Sequence, residues 1–184
     1  ESVKHAGYAN AIKTNVELVD SEKITSSNVK TTLEKYDGII VPGGFGNRGI
    51  EGMITAIKYA RKNKVPFLGI CLGMQMCVIE FARDVLKIED VNSEEFEPNA
   101  KNLVIHIMEE QKKINKKGGT MRLGAYPCKL VDKSKVMKMY GKYLLNKKET
   151  LPNESSDSES LKKTADLDVI YERHRHRYEY NNDY

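Results

Sequence analysis

The chain has 184 residues, 40% of them hydrophobic and 30% charged, with a formal net charge of +4. That length and mix predict one globular domain with a proper core. The lysines are scattered, the pattern of a solvated surface, which argues against a nucleic-acid partner. No apolar run approaches the ~20 residues needed to cross a bilayer, so no membrane partner is expected. The three cysteines, Cys71, Cys77 and Cys128, are odd in number and lack paired spacing. They argue against a disulfide framework or a zinc site and predict a reduced, cytoplasmic setting. The chain opens Glu1-Ser2-Val3-Lys4-His5-Ala6, with no initiator methionine and no signal peptide, as a piece of something longer would.

In chain order, Asn15-Val16-Glu17-Leu18-Val19-Asp20 alternates and predicts a strand. Tyr36 to Pro42 contains the short continuous apolar run of a buried parallel strand. Ile50, Met53, Ile54, Ile57 and Ala60 recur at helical spacing. Val65 to Ile70 predicts a second buried strand. Leu72 to Leu86 predicts a second helix, with Leu72, Met76, Ile79 and Leu86 facing the core, and Leu103 to Ile107 another strand. Strand, helix, strand, helix implies parallel βαβ units and an α/β fold. The 146–166 segment, Ser-rich and poor in apolar residues, predicts a flexible insertion that cannot support a core.

Gly69-Ile70-Cys71-Leu72-Gly73 sits where a strand turns into a helix. Small residues permit a sharp turn that lifts one side chain clear of the sheet, as in a nucleophile elbow with sulfur in place of oxygen. The following helix would aim free N–H groups at Cys71 and favour its thiolate, and the Leu72 N–H would lie where an oxyanion forms. A small buried hydrophobe is the plainer reading of a free cysteine, and the glycines weigh against it. Cys77 falls inside the helix and Cys128 follows a proline in a strand, so neither shares that setting.

Gly44-Phe45-Gly46-Asn47-Arg48-Gly49 matches a dinucleotide fingerprint on paper, but the next strand ends at Cys71 rather than at an acidic residue for a ribose. A plain βα turn and a loop whose backbone approaches a substrate both remain open. In the second case the Gly44 N–H supplies another oxyanion donor. Arg173-His174-Arg175-His176-Arg177 places arginines on one face of a strand and histidines on the other. A solvated edge strand and a weak basic patch both fit it. No third ligand accompanies His174 and His176, so no metal site is expected.

"PGGFGNRG" with "GICLGMQ" resembles the class I (triad) glutamine amidotransferases. "EGMI", "NSEEF" at Asn92 to Phe96, "GGTMRLG" at Gly118 to Gly124 and "ERHRHRYEYN" at Glu172 to Asn181 are similar to the glutaminase domains of the CTP synthase family. The resemblance covers nearly the whole chain except the insertion. It implies a three-layer, mostly parallel sheet with flanking helices, truncated here at both ends. It implies glutamine hydrolysis through a cysteine thioester, with ammonia passed to a synthetase domain of the same polypeptide that aminates UTP to CTP using Mg-ATP. No cofactor is expected in this domain itself. Carried over by position, Cys71 is the nucleophile, and Gly44 and Leu72 form the oxyanion hole. Gln75, Glu95 and Arg175 hold glutamine, with Glu95 suited to its ammonium and Arg175 to its carboxylate. Phe45, Arg48 and Arg122 match positions linked to activation by GTP. A homo-oligomer is expected of the full protein.

The family's catalytic histidine and glutamate lie in a His-Pro-Glu stretch, and these residues contain none. His5, His106, His174 and His176 do not match that histidine. The chain is therefore expected to be inactive alone. A non-catalytic regulatory module of the same fold and an unrelated α/β cysteine hydrolase remain as alternatives.

Overall fold

The computed structural model describes residues 1–108, 111, 122–147 and 169–184. In chain order the elements are α1 (Ser2–Ala9), a 3-10 turn (Ser21–Lys23), α2 (Val29–Leu33), β1 (Ile39–Val41), α3 (Ile50–Asn63), β2 (Phe67–Gly69), α4 (Leu72–Asp84), β3 (Val91–Ser93), β4 (Asn102–Ile107), β5 (Arg122–Lys129), α5 (Lys135–Lys147), β6 (Val169–His176) and β7 (Tyr178–Tyr180). They form two compact units, Glu1–Lys112 with Tyr178–Tyr184, and Lys113–Arg177.

In the first unit, β1 and β2 pair in parallel, Ile39 opposite Phe67 and Val41 opposite Gly69. β3 and β4 are also parallel, and β7 adds to β4 in the antiparallel sense. Helix α3 forms because Ile50, Ile54, Ile57 and Ala60 repeat on one face, which is buried. Helix α4 buries Leu72, Met76 and Ile79. These two faces meet Val91, Val104 and Ile105 from β3 and β4 in one core. The α/β expectation and the order strand, helix, strand, helix are borne out.

Two local expectations fail. Asn15–Asp20 runs without strand pairing, and Val16 and Leu18 are exposed. Alternation marks a two-faced segment, but a ladder needs a partner, and none pairs with it among the described residues. Leu86 is 57% exposed rather than core. Helix α4 ends at Asp84, and the Leu86 N–H reaches the Phe81 carbonyl, so the chain has left the helical period before Leu86.

The second unit contains an antiparallel ribbon of β5 and β6, in register from Arg122 opposite His176 to Lys129 opposite Val169. Tyr126, His174 and His176 share one face, with successive ring centroids 5.1 Å apart. Arg173 and Arg175 are exposed, and Tyr140 on α5 donates to Glu172 at 2.6 Å. The 146–166 segment lies outside the described residues but for its first two, which end α5.

Candidate active site

The site is built where β2 becomes α4. Cys71 is half-buried and caps α4 with φ 53° and ψ −106°, a backbone region that side chains rarely adopt. The turn is held by three backbone bonds. Ile70 N–H donates to Val41 O, Gly73 N–H to Ile70 O and Gln75 N–H to Cys71 O, at 3.0, 3.0 and 3.1 Å. Gly73 lets this happen, because a Cβ there would lie 2.0 Å from the Val41 carbonyl oxygen. The helix start is thus seated directly on β1, and its positive end is presented at Cys71.

The glycine loop after β1 runs alongside. A Cβ at Gly43 would stand 3.3 Å from the Cys71 Cβ and 4.0 Å from its Sγ. A Cβ at Gly44 would stand 3.1 Å from Leu72 Cδ2. Gly44 and Leu72 are therefore neighbours across the turn. Two positions further on, the Gly46 N–H donates to Glu95 Oε1 at 3.2 Å. One loop thus touches the cysteine, the residue after it and the Glu95 carboxylate.

Glu95 sits on a turn at the end of β3. Ser93 is fully buried, and its Oγ accepts the Glu95 N–H at 3.2 Å. The Ser93 carbonyl accepts the N–H groups of Phe96 and Glu97, and Glu94 Oε2 accepts the Ile107 N–H at 2.7 Å. Gln75 is 4% exposed, and its Nε2 donates to the Tyr178 carbonyl at 3.0 Å, which fixes the amide between α4 and β7.

Cys71, Leu72, Gln75, Gly44 and Glu95 are thus all in the first unit. Arg175 lies on β6 in the second, opposite Leu123. Phe45 is 63% exposed at the tip of the glycine loop. Arg48 is held by Glu22, with Nε at 2.7 Å and a terminal nitrogen at 2.6 Å. Arg122 belongs to β5, in the second unit. Cys77 is partly buried against the core; burial pushes its thiol up, the Glu80 charge adds to this and Arg61 opposes it. Cys128 is exposed. Among the described residues, no cluster of His, Cys, Asp and Glu could hold a metal ion. No helix there is long and apolar enough to cross a membrane.

Sequence reasoning missed Ser93 and Gly46. A serine ending a strand just before an acidic pair is a turn signal that could have exposed the first. Nothing local reports that the Gly46 N–H is aimed at a residue 49 positions away.

A cysteine on a strand-to-helix turn beside a glycine loop is the geometry of a nucleophile elbow. The family model described as "Glutamine amidotransferase class-I" matches residues 1–184, and the chain belongs to that family. It is 50% identical to CTP synthase of Clostridium kluyveri over 184 residues, covering 100% of this chain and 30% of that protein. It is 51% identical to CTP synthase of Fibrobacter succinogenes over 181 residues, covering 98% of this chain and 27% of that protein. The solved glutaminase domain of Trypanosoma brucei CTPS with bound acivicin matches at a TM-score of 0.76 and 36% identity, covering 98% of this chain and 60% of that one. The chain therefore spans about three tenths of the length of the CTP synthases it matches.

Proposed function

We propose that this chain is the part of a CTP synthase glutaminase domain that carries the nucleophile and much of the glutamine pocket. The observation that carries the reading is the strained Cys71 turn at the start of α4, with Gly43 and Gly44 packed against Cys71 and Leu72. Cys71 Sγ gives its proton to a general base and attacks the side-chain amide carbon of glutamine as the Gly44 and Leu72 N–H groups receive the developing oxyanion. Collapse breaks the C–N bond, the nitrogen leaves as ammonia with a proton from a general acid, and a thioester remains. Water, deprotonated by the same group acting as base, hydrolyses the thioester to glutamate and returns the thiol.

None of the four histidines here is assigned that acid–base role. Glu95 takes the substrate's ammonium, Gln75 lines the pocket and Arg175 takes the carboxylate. Ammonia then serves the ATP-dependent amination of UTP to CTP in a synthetase domain of the same polypeptide. The exposed Phe45 ring offers a stacking face for the base of a GTP activator, with Arg48 and Arg122 as further contacts. Arg48 would exchange Glu22 for that ligand. Three free cysteines fit a reducing, cytoplasmic setting.

The test is Cys71→Ala in the full-length protein. Glutamate release and CTP formation from glutamine should disappear, while CTP formation from added ammonia persists. Retained glutamine-dependent activity would falsify the nucleophile assignment.

A further inference from the structure

Glu95 faces two ways. Its turn is anchored on the core of the first unit, through the buried Ser93 hydroxyl and through the Glu94 bond to the β4 backbone. Its Oε1 accepts the N–H of Gly46 in an exposed loop. At Gly46 a Cβ would meet nothing within 4 Å, so packing does not demand glycine there. The backbone does: φ is +78°, and this left-handed conformation turns the Gly46 N–H towards the carboxylate. The loop from Gly43 to Gly49 has few buried anchors of its own, and the proposed oxyanion donor Gly44 lies two residues before the bonded amide.

We propose that Glu95 is a positioning residue for the oxyanion loop as well as the ammonium's partner, its Oε1 fixing Gly46 and through it the Gly44 N–H. A carboxylate has room for both tasks, because two oxygens offer about four acceptor sites. The inference rests on the reading of Glu95 as the group that receives the substrate's ammonium. It adds that binding and catalysis share one side chain: the charge sets affinity, and the oxygen on Gly46 sets the geometry of the oxyanion donor. A donor displaced by about 1 Å loses much of its value, since preorganised N–H groups act only where charge develops.

Two substitutions separate these tasks in the full-length protein, read as glutamate release from glutamine. Glu95→Gln keeps an oxygen that accepts from Gly46 and gives up the charge. KM for glutamine should rise about tenfold or more, with kcat falling less than about threefold. Glu95→Ala removes both, and kcat should fall a further ~10-fold to ~100-fold. Equal kcat in the two variants overturns the positioning role and leaves the ammonium assignment standing. An unchanged KM in Glu95→Gln overturns the ammonium assignment, and the kcat comparison still decides the positioning role. Should Glu95→Ala not fold, Glu95→Asp replaces it, its carboxylate one methylene short of Gly46. A kcat well below that of Glu95→Gln supports the proposal, and an equal kcat overturns it.

Discussion

Arg61 on α3 and Glu80 on α4 meet through three hydrogen bonds, Nε to both carboxylate oxygens at 3.1 and 2.9 Å and one terminal nitrogen at 2.7 Å. Glu80 is fully buried, whereas the Arg61 side chain is 35% exposed. A buried carboxylate that loses its partner is left uncompensated in a poor solvent, and this costs more than the pair contributes. Arg61→Ala should therefore lower stability by about 3 kcal/mol. Replacing both residues by leucine should cost clearly less than Arg61→Ala alone. Urea midpoints of the three variants check this; a double variant as weak as the single one would refute the argument.

Gly73 is the point where α4 rests on β1. Gly73→Ala forces its methyl group against the Val41 carbonyl and should destabilise the protein by about 2 kcal/mol. The helix must move away from the strand and take Cys71 with it. Modification of Cys71 by a glutamine-like electrophile should slow in parallel, mapped by mass spectrometry in the full-length protein. In the unsubstituted protein the same reagent should modify Cys71 before Cys77, which burial keeps protonated. An unchanged rate in Gly73→Ala would show that the elbow does not depend on this contact.

Asp84 gives a dependence on pH. Burial pushes its carboxyl up, but the Lys58 hydrogen bond and charge, with help from Lys87 and Arg61, outweigh this and hold it below the ordinary carboxylate value. The folded state therefore binds the proton less readily than the unfolded chain. Its stabilisation is present above the unfolded pKa and is lost as pH falls through the lower, folded one. Lys58→Met should destabilise the protein at about pH 6, and the difference from the unsubstituted protein should shrink towards about pH 3. Thermal midpoints that stay equally far apart across that range would contradict the assignment.

Much of the site was legible because its signals are local. The glycines around Cys71 mark a tight turn, and a strand run before it with a helical period after it defines an elbow. The histidine and arginine faces of β6 followed from simple alternation. The relationships that hold the site in place are not local. Gly46 and Glu95 are 49 residues apart and Arg61 and Glu80 are 19 apart, so spacing carries no trace of either pair. Asn15–Asp20 misled for the opposite reason, since its local pattern is strand-like and only a neighbouring strand could make it one. Leu86 misled because the helical period continues in sequence beyond the point where the backbone stops following it.

Cys71 holds a positive-φ backbone, φ 53° and ψ −106°, at the foot of α4. Such a conformation costs of order 1–3 kcal/mol for a residue with a Cβ and much less for glycine. Variation filtered for folding alone would therefore drift towards glycine at this position and yield a sturdier protein. On the proposed function, cysteine there concedes robustness to chemistry. Laboratory stabilisation of this chain is best directed at residues remote from the elbow, because on the proposed function the easiest gain at position 71 removes the nucleophile.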